Sequence, residues 1–307
     1  MATNFFANIT QKGTLAQFSQ AMETAPNVWK QHVMTIPSDA ATETLVWAGT
    51  LPIPREFISG RNFGGIRDFT FDIINKTYEL SYIIDRESME DDRHGLINQR
   101  TAEAAEVWAT FKDSQFATLL EDGDSDTTTF DGTSFFDATR TIGASVALDN
   151  IDTTNITTTT APTSTEAGAA IHANMILLAT MQDDQGRDGY NAIAMQKLRV
   201  IGHPQYQRAF QELFESTEIS NSSNPWGMGL GEFDPLPYLT ASSVQHFTTA
   251  IGSKRMPFIY QERTGLEIVV FNGQNDVAEN NGVMVLCRQR YLLAYGDPRR
   301  CIEHTYT

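Results

Sequence analysis

The stretch SGRNFGGIRDFTFDIINKTYELSYIIDRE, residues 59–87, decides how this chain is to be read. Phe69, Phe71 and Ile73 alternate with Asp68, Thr70 and Asp72, the period of two that puts apolar side chains on one face of a strand and polar ones on the other. After Asn75 and Lys76 the apolar set becomes Tyr78, Leu80, Tyr82 and Ile84, so the parity has moved by one residue. A strand cannot exchange its faces without a break in the pleat, and a bulge or turn is expected at Ile74 to Lys76. Upstream, Gly60, Gly64 and Gly65 read as a flexible tip and as hinge candidates. Before them, ETLVWAGTLPIPREF at 43–57 mixes β-formers with Pro52 and Pro54, which confine it to an edge or bulged strand. Residues 40–88 therefore read as a long two-armed β feature with a glycine-rich end.

Working outward, residues 14–32 carry Leu15, Phe18 and Met22 at helical spacing up to Pro26, a short helix on an N-terminal arm. On the other side, Glu90, Asp91 and Asp92 precede a helix expected over 96–121, where carboxylates suit the positive end of the dipole. Its apolar stripe runs through Ile97, Ala104, Trp108, Phe111, Gln115 and Leu119, and at 1.5 Å per residue it would be about 40 Å long. Ile97, Ala104, Trp108, Phe111 and Leu119 are its expected core contacts. FDGTSFFD at 130–137 reads as a loop with a turn at Asp131-Gly132, and Thr153 to Thr165 as an exposed connection at a subdomain boundary. Thr163 and Glu166 have capping-box spacing and open a helix reaching about Gln182. A strand at Ile193 to Ile201, a helix at Pro204 to Phe214 and a loop at Ser220 to Gly231 follow. Strands are expected at Pro257 to Val270 and Val283 to Tyr295, with strand character returning after Asp297-Pro298. Helices and strands interleave without a β-helix-β rhythm, so the class is α+β.

A chain of 307 residues buries enough surface to need no disulfide or metal. Its two cysteines, Cys287 and Cys301, are too few for a secreted disulfide scaffold and suit a reducing cytoplasm. There is no run of about 20 apolar residues and no signal-peptide pattern at the N-terminus, so neither a membrane span nor export is expected. With 38 acidic against 22 basic side chains the net charge is −16, which repels nucleic acid and disfavours general phosphate binding. Enclosing DNA is compatible with that charge, because a container wall that gripped every phosphate would obstruct packing.

The sequence carries no recognisable catalytic or metal-binding motif. The six histidines stand apart, with no C-x-x-C and no H-E-x-x-H, so no metal or cofactor is expected. His172, His203 and His246 read as surface or packed residues. GMGLG at 227–231 lacks a preceding strand and the P-loop lysine, and no G-x-S-x-G elbow is present. Asp91-Asp92 reads as a dipole pair and Asp183-Asp184 as part of a turn. The pairs Arg288/Arg290 and Arg299/Arg300 read first as a solvated strand face and second as a basic patch. No catalytic residue is assigned.

The segment VWAGTLPIPREFISGR, the NKTYE step followed by EDD and the long helix, FDGTSFFD after that helix, and PFIYQER late in the chain occur in an order that resembles the Mu-like phage major head subunit family. The resemblance extends over most of the chain. It implies the tailed-phage major capsid fold first defined in phage Hong Kong 97. The implied layout is an N-terminal arm (1–39), an E-loop hairpin (40–88), a peripheral domain with a spine helix (89–149), an axial domain (150–250) and a return to the peripheral domain (251–307). It implies hexamers and pentamers of a shell enclosing double-stranded DNA. It also implies a separate scaffold or maturation protease, a portal and a decoration protein as partners. The tip has arginines but no lysine, so covalent crosslinking is not expected.

A small hairpin is not stable alone in water, so its missing core is expected on a neighbouring subunit. Arg61, Phe63, Arg67, Phe69, Phe71, Tyr78 and Tyr82 are the expected inter-subunit contacts. The competing readings are an encapsulin-like compartment, which co-purified cargo would reveal, and a soluble hydrolase, which turnover by monomer would reveal.

Overall fold

The structure is a computed structural model, and it describes residues 16, 18, 20, 21, 25, 27–40, 42–50, 68–85, 96–219, 222–240, 244–271 and 281–307. Two sheets organise it. The first runs in the order β1 (Val33–Pro37), β11 (Phe258–Phe271), β12 (Gly282–Tyr295), β4 (Lys76–Asp85). β1 joins β11 in parallel, and the other neighbours are antiparallel. The second runs β5 (Ile151–Asp152), β13 (Cys301–Thr305), β10 (Gln245–Ala250), β6 (Leu198–Gly202), β9 (Gly231–Pro235). A separate two-stranded ribbon pairs β2 (Thr42–Ala48) with β3 (Asp68–Ile74), and β7 (Glu218–Ile219) pairs with β8 (Ser222–Ser223).

The parity change has the expected cause: Asn75 alone is non-strand between β3 and β4, and the chain leaves the ribbon there to enter the first sheet. The spine helix α1 is Leu96–Glu121, as its periodicity requires. Its buried stripe differs from the expected one. Thr101, Ala105, Trp108, Ala109, Lys112, Asp113, Phe116, Ala117 and Leu120 are buried; Ala104 and Leu119 flank this stripe half-buried, and Phe111 is 39% exposed. The inward face includes two ionisable residues, which an apolar count assigns to solvent. Asp113 accepts the backbone N–H groups of Val28 and Trp29 at 3.0 Å each, satisfying donors at the start of the 3₁₀ turn Trp29–Gln31.

Helix α2 (Ser164–Thr180) opens on the full capping box of Thr163 and Glu166, and α3 (Gln207–Glu215) follows the short turn Pro204–Tyr206. Both pack on the second sheet, through Ile171, Phe210 and Leu213 among others, over Val200 and Tyr306. The expected strand at 193–201 begins later, because Ala194–Gln196 form a 3₁₀ turn. FDGTSFFD turns at Gly132 (φ 73°) as expected, yet Phe130, Phe135 and Phe136 are buried. Phe135 stacks on Tyr295 of β12 at 4.8 Å and Phe136 on Phe247 of β10 at 5.5 Å, so this loop ties the two sheets into one core.

Strand character returns after Asp297-Pro298 as expected, in β13. β11 and β12 lie in the first sheet, but β13 crosses to the second, pairing with β10 and β5. The crossing is held at Asp297. Arg299 donates to it at 2.9 Å and to the Tyr190 hydroxyl at 2.8 Å, with its guanidinium 3.8 Å from that ring's centre. Burial opposes ionisation of Asp297, but Arg299 and Arg300 hold its carboxyl at about 2. Arg299 and Arg300 are therefore neither a solvated face nor a basic patch: both are buried.

Candidate assembly surface

The ribbon has two faces set by its register. Leu45 lies opposite Phe71 and Glu43 opposite Ile73 on one; Val46 opposite Thr70, Thr44 opposite Asp72 and Thr42 opposite Ile74 on the other. The first packs inward. Ile73 is buried, Leu45, Phe69 and Phe71 are half-buried against the cluster of Phe130, Ile142, Ile259 and Ile302, and Phe69 meets Phe130 edge-on at 5.3 Å. The second faces outward, with Val46 60% and Ile74 62% exposed. Within the described residues the ribbon has no third strand, so neither of its outer edges is continued by a ladder.

The ribbon's base is fixed by polar contacts. The Asn75 side-chain amide donates to Ser38 Oγ at 2.9 Å and to the Ala40 carbonyl at 3.0 Å, and its Oδ1 accepts from Gln261 of β11 at 3.0 Å. Beyond β2, the Thr50 N–H donates to Asp184 at 2.8 Å. The Asp183–Asp184 turn thus serves the ribbon, with no acid/base geometry.

Phe69, Phe71, Tyr78 and Tyr82 require a correction. Their apolar surface packs on the chain's own core instead of being left for a neighbour. Tyr78 and Tyr82 belong to β4, inside the first sheet. Tyr78 lies 4.6 Å from Tyr291 and 5.5 Å from Phe111, and Tyr82 packs near Trp108 and Val285. Sequence adjacency made β3 and β4 look like one arm, whereas β4 is claimed by a long-range pairing with β12. Arg61, Phe63, Arg67, Gly60, Gly64, Gly65 and the Glu90–Asp92 cluster lie outside the described residues.

A second outward surface was not legible in the sequence. On the first sheet, Ile83, Met284 and Phe271 form one cross-strand row and Ser81, Leu286 and Val269 the next. Ile83, Val269 and Phe271 are 39–48% exposed. Beyond them comes the row Glu79, Arg288, Glu267, where an exposed arginine sits between two carboxylates in register. Arg288 is thus the solvated strand residue expected. Reading this face needs the pairing of three distant strands.

The interior titratable groups are structural. His32 bonds Asp234 and Thr249 at 3.0 Å each, and His246 stacks on His304 at 4.7 Å beneath α2. Burial holds both His32 and His246 below the usual imidazole range, so they stay neutral at pH 7. His172 is exposed and His203 caps the turn before α3. Burial pushes the Cys287 thiol up to about 11 and raises Cys301. Among the described residues no group of three His, Cys, Asp or Glu is placed to hold a metal. None of their helices is long and apolar enough to cross a membrane.

A family model described as the Mu-like prophage major head subunit gpT matches residues 8–172, more than half of the chain. The major capsid protein of Escherichia phage Mu is 29% identical over 120 residues, 39% of this chain and 39% of that protein. The Mu-like prophage FluMu major head subunit of Haemophilus influenzae is 28% identical over 138 residues, 45% of this chain and 43% of that protein. The aligned regions thus span about two fifths of these relatives' length. In three dimensions, a chain of the bacteriophage JBD30 procapsid superposes with a TM-score of 0.59 at 18% identity, covering 99% of this chain and 76% of that one. The fold is that of tailed-phage capsid subunits.

Proposed function

The chain belongs to the Mu-like prophage major head subunit family, and from that premise we propose that it is a major capsid protein that self-assembles into the icosahedral or prolate head of a tailed phage. It forms the virion wall around double-stranded DNA and acts as a structural element, without catalysis. The observation that carries this reading is the ribbon, a two-stranded unit outside both sheets that exposes Val46 and Ile74 on an outer face otherwise made of Thr42, Thr44, Thr70 and Asp72. Such a unit is marginal in water and gains stability when another chain covers it.

The contact surface includes the outer ribbon face around Val46 and Ile74, and Arg61, Phe63 and Arg67 are proposed as further inter-subunit contacts. Contacts of about 1,200–2,000 Å² are enough for specific association, and a subunit in a closed shell makes several. The hydrogen bonds at Asn75 keep the ribbon's root in place, so angular adjustment between hexamers and pentamers falls to Gly60, Gly64 and Gly65. The acidic surplus keeps the wall from gripping its contents. A separate scaffold or maturation protease and a portal act in assembly. A decoration protein is supported by the related JBD30 capsid, which is decorated with minor capsid protein trimers.

Electron microscopy of the purified full-length chain tests the proposal. Closed shells, lost on deletion of residues 58–68 while the subunit stays folded, are the expected result. A chain that remains monomeric under all assembly conditions would end it.

A further inference from the structure

Lys112, midway along α1, is 9% exposed and has no carboxylate within 4 Å among the described residues. Its ammonium donates to the Tyr260 hydroxyl at 3.2 Å and otherwise faces rings, at 4.9 Å from Tyr291, 5.0 Å from Tyr260 and 5.3 Å from Trp29. Buried lysines are ordinarily paired, because ring faces and one hydroxyl replace only part of the lost hydration.

Beside it is a cavity of about 390 Å³ lined by Trp29, Lys30, Val33, Thr35, Lys112, Tyr260, Glu262 and Gln289. One wall residue carries a donor with no partner although it is more than nine-tenths buried, the Trp29 indole N–H; the unpartnered Gln289 Oε1 is an acceptor and offers an anion nothing. The other end of the Gln289 amide donates to Glu262 at 2.8 Å. Lys30, Lys112 and Glu262 give the walls a net charge of +1. That balance suits a singly charged planar anion and disfavours a phosphate dianion, which Glu262 would repel.

We propose that this cavity is a carboxylate-binding site, in which Lys112 and the Trp29 N–H donate to the two oxygens of one carboxylate. The source is either an acidic side chain of a neighbouring copy or a small free carboxylate. Burial pushes Lys112 down to about 8 while Glu262 pulls it up and Lys30 pushes it down. It is thus an ammonium at pH 7, where Tyr260 and Tyr291 are neutral phenols.

The test reads amine labelling of each lysine by mass spectrometry on the full-length chain, with acetate, phosphate or chloride at matched ionic strength. Acetate in about tenfold excess over its Kd should slow Lys112 labelling about tenfold. Lys76, Lys197 and Lys254 should be unaffected, phosphate should do nothing, and Trp29→Phe should weaken the protection. Equal protection by all three anions, or none by acetate, overturns the site. The source is read from assembled shells of mixed isotopic label treated with a carbodiimide, which joins an amine to a carboxylate with loss of water to the reagent. A Lys112 amide between copies assigns a neighbour's side chain. An amide only to Glu262 of the same copy, with acetate protection retained, assigns a free carboxylate. Only this second arm rests on the shell reading, so failure to assemble leaves the labelling arm intact.

Discussion

Asn75 and Gln261 meet side chain to side chain at 3.0 Å in the corner where the ribbon departs from the first sheet. Gln261 is fully buried there and also reaches the Ile73 carbonyl at 3.4 Å. Asn75→Ala would leave Gln261 Nε2 and the Ala40 carbonyl short of partners. An unmatched buried group costs about 1–3 kcal/mol. A lower urea midpoint with unchanged slope is expected, and hydrogen exchange should quicken in 42–48 and 68–74 first, because the latch holds the ribbon locally.

Asp113 holds the N-terminal arm to the spine through two backbone N–H groups. Asp113→Ala removes Oδ1, the one oxygen that accepts both N–H groups, and should destabilise the chain by about 1–2 kcal/mol, as loss of a helix cap does. Asp113→Asn keeps one acceptor oxygen and should recover part of that loss. Thermal melts of the two variants against the parent provide the comparison.

These two contacts also mark how far the sequence could be read. Features carried by local chemistry were legible: the pleat break at Asn75, the capping box at Thr163 and Glu166, and both ends of α1. What failed was the phase of the α1 stripe. Lys112 and Asp113 turn inward because residues more than 80 positions away, Trp29 and Tyr260, supply their partners. Arg299 and Arg300 misled for a different reason: their shared carboxylate, Asp297, is a near neighbour in sequence, but the fold buries all three together. The placement of Tyr78 and Tyr82 turned on the pairing of β4 with β12, which alternation does not encode.

Glu303 gives the stability a pH dependence. Burial, with Asp124 adding to it, pushes its carboxyl up from 4.5 to about 7. Between those values the unfolded chain has released the proton and the folded chain still holds it, so stability falls as pH rises from about 4.5 to 7 and levels off above. The full effect is on the order of 3 kcal/mol. Glu303→Gln should flatten this slope, raising the urea midpoint at pH 8 far more than at pH 5. Equal shifts at both pH values would contradict it.

Cys287 and Cys301 are buried thiols in different sheets, both shifted away from the reactive thiolate. A water-soluble disulfide reagent at pH 8 should label neither in the native chain and both after denaturation. Mass spectrometry of the intact protein counts the adducts.

The outer ribbon face is where assembly can be separated from folding. Val46 and Ile74 are well exposed, and replacements at such positions usually change stability by less than about 0.5 kcal/mol. A Val46→Asp/Ile74→Asp double variant should therefore melt like the parent. If the face is covered in the shell, each new carboxylate is buried there without a partner, at a cost of about 3–5 kcal/mol repeated in every subunit. Free subunits in sedimentation and no shells in the electron microscope are expected. The Val46→Thr/Ile74→Thr pair, which keeps the β-branched shape and adds no charge, should still assemble. Normal shells from the aspartate variant would mean that this face looks into solvent, and the contact would have to be sought on the sheet row of Ile83, Met284 and Phe271 instead.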